Sequence, residues 1–189
     1  MIYPIVAYGH STLKKSSDKM DRNYPNLKEV IENMFETMYE AVGVGLAAPQ
    51  VNLSIRLFII DTAPYADEYP EIKGFKKVFI NPEIIEERGE EWEFNEACLS
   101  VPGLAEYVSR KPKVKIKYQD VDFNECIEEY DGMLARIIQH EYDHLNGVLF
   151  VDRVSSIKKV LLKNKLKDIG NRKVKTSYKM LFSPMKRKK

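Results

Sequence analysis

Residues 139–144 read Gln139-His140-Glu141-Tyr142-Asp143-His144, inside the longer run MLARIIQHEYDHLNG from Met133 to Gly147. Leu134, Ile137, Ile138 and Leu145 recur at helical spacing, which predicts a helix from about Met133 to Leu145 with those side chains turned to the core. Asp131 stands where an N-cap is expected, and Gly147 lies just past the end. Positions i and i+4 share one face of a helix, so His140 and His144 can reach a single metal ion with Glu141 beside them. Glu141 also falls within the apolar stripe, where a buried carboxylate is costly unless a cation or another partner compensates it. The segment therefore predicts a central metal-binding helix. By itself it names no reaction.

Working outward, Leu27, Val30, Ile31, Met34, Phe35, Met38 and Tyr39 describe a second amphipathic helix, opened by Pro25-Asn26 and closed before Gly43. Short strand-like runs follow at Ile55–Asp61, Lys76–Asn81, Glu91–Asn95 and Tyr107–Arg110. Val114–Tyr118 alternates apolar residues with Lys, and Cys126–Tyr130 can pair with it across a turn at Val121–Asn124. Lys14–Asn26 and Thr62–Gly74 read as loops, and Val154–Leu166 as a basic C-terminal helix. Helix, several strands, then helix predicts an α+β fold. Its mostly antiparallel sheets pack around the central metal-binding helix, between an N-terminal helix and the basic C-terminal one. The expected organisation is a body over 1–153 and a basic helix and tail over 154–189.

Composition bounds the classes available. An apolar fraction of 44% in 189 residues is enough to bury a core, and no stretch approaches the roughly 18 apolar residues of a membrane span. The opening MIYPIVAYGHSTLKK has no basic leader or small-residue cleavage site. Two cysteines, Cys98 and Cys126, make no disulfide framework. A cytoplasmic protein is expected, with neither membrane nor DNA as partner. The net charge of +2 hides an asymmetry, because 14 of the 30 Lys/Arg but only Asp168 of the 28 acids fall between Arg153 and Lys189. That is +13 on the tail and −11 on what precedes it. Such a tail suits a polyanionic partner, or simply solvation.

A catalytic site of this kind needs a third protein ligand and an open position. Downstream of His144 the only acids are Asp152 and Asp168, and no further His exists. Upstream, Cys98 stands in Glu96-Ala97-Cys98-Leu99-Ser100, directly after a strand-like run. A lone Cys is more often a small core residue, which is how Cys126 reads in its alternating strand. A third segment, Gly43-Val44-Gly45-Leu46-Ala47-Ala48-Pro49-Gln50, follows the first helix, and its small residues permit close backbone approach to a ligand. It lacks the Lys-Ser/Thr ending of a phosphate loop.

In this order the three segments resemble the motif set of the peptide deformylases: G-x-G-L-A-A-x-Q, E-G-C-L-S and Q-H-E-x-D-H-L-x-G. Gly43–Gln50 and Gln139–Gly147 match throughout and Glu96–Ser100 at four places of five, within a likeness running from Ile2 to Arg153. The resemblance implies a metal-dependent hydrolase that removes the formyl group from N-formylmethionyl nascent peptides. It implies Cys98, His140 and His144 as ligands of one divalent ion, commonly Fe(II), with Zn, Ni or Co also accommodated. Glu141 is then the general base, and Gln50 and the backbone N–H of Leu99 donate to the formyl oxygen. Gly45 would hold the peptide in an extended pose, while Val44, Phe94, Met133 and Ile137 wall the methionine slot. Glu96 and Arg110 match positions that pair in the family. A ribosomal RNA partner for the basic C-terminus is also implied.

Ala97 replaces the motif's usual Gly. An extended backbone there accommodates the extra Cβ, whereas a positive φ would displace Cys98. Ala105-Glu106 stands where some members carry a basic residue that meets the distal peptide. Two other readings fit the metal helix: a peptidase with a different third ligand, and a noncatalytic RNA-binding module. Cys98 discriminates against the first; Glu141 and Gln50, which a structural metal site does not need, discriminate against the second.

Overall fold

A computed structural model describes residues 1–184 and gives the element order β1 (Ile5–Val6), α1 (Leu27–Glu40), β2 (Gly45–Ala47), β3 (Leu57–Asp61), β4 (Lys76–Arg88), β5 (Trp92–Ala97), β6 (Ala105–Arg110), β7 (Lys113–Gln119), β8 (Glu125–Asp131), α2 (Gly132–Leu145), α3 (Phe150–Arg153), α4 (Ser156–Gly170) and β9 (Met180–Leu181). The closing basic run Lys186–Lys189 lies outside the described residues. Among the described residues no helix is long and apolar enough to cross a membrane.

A five-stranded antiparallel sheet in the order β2-β3-β4-β7-β8 forms one wall. Strand β3 is buried at all five positions, because both of its faces are covered. Phe58 and Ile60 join the core shared with α2, while Leu57 and Ile59 join the core shared with α1. The two-residue period of a strand thus explains why LFIID is apolar without alternation until Asp61. A separate hairpin pairs β5 with β6, and β1 pairs in parallel with β9. A third core joins Val6, Val108, Phe150 and the inward face of α4 at Leu162, Leu166 and Ile169.

Helix α2 lies between these layers. Ten of its fourteen residues are buried, polar ones included, so it is wrapped on nearly every side and not presented by one stripe. Leu134, assigned to that stripe by periodicity, is only half-buried. Asp131 occupies the N-cap position without a side-chain capping bond; the first N–H, from Gly132, goes instead to the Pro112 carbonyl at 2.9 Å. Gly147 ends the helix at φ +71°, where a Cβ would come within 2.7 Å of the Lys14 backbone. Glycine is required there on both counts.

The predicted strands are present, several of them longer than the apolar pattern suggests. β4 continues past Asn81 to Arg88 through a register shift at Asn81-Pro82. Asn81 takes φ +49°, and its side chain is bonded to the Met20 N–H and carbonyl. The basic helix starts later than expected, at Ser156 behind the short α3 and a Ser155 cap, and extends to Gly170. Gly45–Ala47, for which the sequence predicts no secondary structure, is an edge strand.

Candidate metal centre

Two edges face each other across a cleft of about 550 Å³: β2 with the segment before it, and the end of β5 with the turn that follows. Helix α2 closes the floor. Val44, Gly45, Gln50, Phe94, Cys98, Leu99, Met133, Ile137, His140 and Glu141 all line this space, and His144 is buried behind it. The three sequence segments are therefore one site.

The donor atoms of Cys98, His140 and His144 lie within 4.8 Å of one another. Cys98 Sγ stands 3.3 Å from His144 Nε2. Two features of the surrounding groups fit a cation. His144 is held well below the ordinary imidazole range by burial and by His140, so it keeps a neutral, lone-pair form. Burial also pushes His140 down, but hydrogen bonds to Cys98 and Glu96 outweigh it and raise the group. These two partners favour positive charge at this point. One cysteine sulfur and two imidazole nitrogens make a donor set that divalent transition metals accept.

Glu96 organises the centre from behind. His140 Nδ1 lies 2.9 Å from its Oε2, which leaves Nε2 turned to the cluster. Arg110 donates to both carboxylate oxygens, at 2.7 and 2.9 Å, and Arg136 donates to Oε1 at 2.9 Å. All three groups are at most 4% exposed, which makes this a buried network and not a surface ion pair. Burial alone would raise the Glu96 carboxyl; His140 and Arg110 reverse that and hold it well below the usual carboxylate range. Arg110 also donates to Asp143 at 2.7 Å, and Arg153 pairs with the same carboxylate. Asp143 is one residue before His144, so the network grips α2 at both histidines.

Glu141 is 5% exposed, and its Oε2 has no hydrogen-bond partner among the described residues. Burial pushes its carboxyl up to about 7, with His140 opposing and Glu96 assisting. The side chain presses on β2, where a Cβ at Gly45 would lie 2.8–2.9 Å from its Cδ and Cγ. Gly43 similarly makes room for Leu99 Cδ1 at 2.9 Å. The small residues of this segment thus admit Glu141 and Leu99.

Gln50 is 2% exposed, and its orientation is set locally. The Ala47 N–H donates to Oε1 at 2.8 Å, which turns Nε2 toward Cys98 Sγ at 3.5 Å and Ser100 Oγ at 3.4 Å. The N–H of Leu99 donates to no group among the described residues. Ala97 lies in β5 opposite Ala105, exposed and without a positive φ, so its Cβ is accommodated.

Several residues of the site carried no sequence signal. Arg136, one turn before His140, is a buried charge on α2 that no motif pointed to, and Asp143, a fixed position of the third motif, had no partner named for it. Tyr65 and Tyr69 reach the cleft from the Thr62–Gly74 loop, and Lys175–Tyr178 from the tail. Burial, with the Cys98 charge assisting, pushes the Tyr178 phenol up to about 12, so it remains a donor near neutral pH.

The polypeptide deformylase family model matches residues 2–160. The chain is 54% identical to a peptide deformylase of Flavobacterium johnsoniae over 99% of both chains, and 52% identical to one of Cytophaga hutchinsonii over 99% of this chain and all of the other. Among solved structures it is similar to a peptide deformylase of Legionella pneumophila, at 38% identity and TM-score 0.80, covering 92% of this chain and 98% of that one. It is also similar to the Plasmodium falciparum enzyme solved with an inhibitor, at 36% identity and TM-score 0.76, covering 87% and 97%.

Replacing Glu96 with Ala strands Arg110 and Arg136 and frees the His140 ring. We expect a loss of about 3–5 kcal/mol in stability by urea unfolding and a roughly 10–100-fold weaker metal affinity by chelator competition. A folded variant with unchanged affinity would contradict the orienting role.

Proposed function

This chain belongs to the polypeptide deformylase family, and we propose that Cys98, His140 and His144 hold its metal while Glu141, Gln50 and Leu99 carry the chemistry. It is a metal-dependent hydrolase that removes the N-formyl group from the formylmethionine of nascent polypeptides and releases formate. The observation that carries the residue assignment is the convergence of one thiolate, two imidazoles and an unpartnered buried carboxylate on a single cleft.

A divalent ion in the triad supplies a Lewis acid and lowers the proton affinity of water at neutral pH. Positive charge in the triad would also favour the ionised form of Glu141, the form that accepts a proton. Glu141 takes the proton of the water that adds to the formyl carbon. As the carbon becomes tetrahedral, Gln50 Nε2 and the Leu99 N–H donate to the oxygen on which negative charge develops. The C–N bond then breaks, Glu141 returns the proton to the departing amine, and formate and a free amino terminus remain. Gly45, on the unpaired edge of β2, offers backbone to an extended peptide. Val44, Phe94, Met133 and Ile137 give an unbranched side chain an apolar slot beside the triad.

We assign Fe(II) as the working metal, with Zn, Ni or Co as alternatives that the same donors accept. The proposed metal, catalytic and pocket residues then fall within 1–153, and the basic segment 154–189 follows them. Lys159, Lys163, Lys165 and Lys167 are exposed on α4, which supports docking on ribosomal RNA through phosphate contacts. Two free cysteines and a nascent-chain substrate support a cytoplasmic location.

Formate release from formyl-Met and unformylated Met peptides tests the reaction. Metal-loaded protein should act on the first alone, lose activity to a chelator and regain it with Co or Ni. Glu141→Gln should keep its metal and lose at least about 100-fold in kcat. A fully active Glu141→Gln variant would refute the base. Co-sedimentation with ribosomes should weaken as salt rises and on changing Lys159, Lys163 and Lys165 to Ser; binding indifferent to both would refute the docking.

A further inference from the structure

The family match ends at residue 160, yet the chain continues as a strap that returns to the cleft. After α4 ends at Gly170 the chain reverses at Asn171-Arg172, where Arg172 takes φ +65°. The far end is anchored by β9 on β1, by Arg172 Nη2 on the Ser183 carbonyl at 3.2 Å, and by Ser183 Oγ on the Gly9 carbonyl at 3.0 Å. Between these anchors Lys175–Tyr178 form part of the cleft wall. The half-buried Tyr178 hydroxyl donates to the Leu99 carbonyl at 2.8 Å.

That carbonyl occupies a particular place. Cys98–Val101 is a four-residue turn closed by the Val101 N–H on the Cys98 carbonyl at 2.9 Å. Such a bond fixes the two ends of a turn, but its central peptide can take either of two orientations. Here the central peptide joins Leu99 to Ser100. The Ser100 carbonyl is taken by the Tyr8 N–H at 2.8 Å, and the Leu99 carbonyl is taken by Tyr178. The Leu99 N–H belongs to the preceding Cys98–Leu99 peptide, one Cα away from the held carbonyl, and has no acceptor among the described residues; the Ser100 hydroxyl meets Gln50 Nε2.

We propose that Tyr178 is a positioning residue for deformylation: its hydroxyl anchors Leu99 by the carbonyl, and with the Cys98–Val101 turn closed on the other side this fixes the Leu99 backbone so that its N–H, on the adjoining Cys98–Leu99 peptide, stays aimed at the formyl oxygen. This rests on reading the Leu99 N–H as a donor to that oxygen. The strap thereby makes the segment around Tyr178 part of the active site, by a contact that lies outside the family-matched segment.

Tyr178→Phe removes the hydroxyl and keeps the ring. With Co-loaded protein, we expect kcat on formyl-Met peptides to fall about tenfold, the order for one ordinary hydrogen bond withdrawn from the transition state. KM, Co content, unfolding midpoint and Kd for the unformylated product peptide should stay within about twofold. Wild-type kcat in Tyr178→Phe would overturn the proposal, as would a parallel loss of product affinity, which would mark Tyr178 as a wall only. Formate release by wild-type protein and its loss in Gln50→Leu keep the deformylase reading separate: if those hold while Tyr178→Phe is fully active, the positioning role alone fails.

Discussion

Everything at the centre depends on one buried carboxylate. Glu96 receives Arg110 through both oxygens, Arg136 through one and His140 through the other, at almost complete exclusion from water. A network of this kind is costly to desolvate, and an apolar replacement could be as stable. What it contributes is direction: strand β5, strand β6 and helix α2 are tied to one point from which the His140 ring is aimed. Asp143, held by Arg110 and Arg153, does the same for the next turn of the helix. The extensive burial of α2 follows, because a helix carrying this many internal charges must be enclosed by their partners.

Close approach is the second constraint. β2 must come so near α2 that Glu141 occupies the space a Cβ on Gly45 would need, and Leu99 that of one on Gly43. This proximity brings Gln50, on the turn that follows β2, to within 3.5 Å of Cys98. Orientation of the Gln50 amide is then a local matter, fixed by the Ala47 N–H three residues earlier.

Legibility in the sequence followed the range of the interactions. Helix α2 and both histidines could be read from periodicity and spacing, since these are properties of one element. Three motifs in order then made the family resemblance, and through it Cys98, Gln50 and Leu99 could be named. Arg136 could not, nor could the partners of Asp143, because the burial of a charged residue is not legible until its partner on another strand is known. The extension of β4 beyond Asn81 depends on a bulge and on Met20, sixty-one residues away. The pairing of β9 with β1 joins the two ends of the described chain, and two-residue strands leave no pattern to detect. Tyr178 was invisible for the same reason: its position is set by that pairing.

The C-terminal segment thus combines two features that charge alone had merged. The inward face of α4 belongs to the same apolar core as Cys98, while its lysines face outward. The central claim remains that a cysteine before a turn and two histidines on a helix hold one ion. Titration of the apo-protein with Co(II), followed by electronic absorption, tests it most directly. One equivalent should give intense tetrahedral bands with a thiolate-to-metal charge-transfer band, and Cys98→Ser should lose the charge-transfer band. A wild-type spectrum without that band, or a Cys98→Ser spectrum that retains it, would contradict the account.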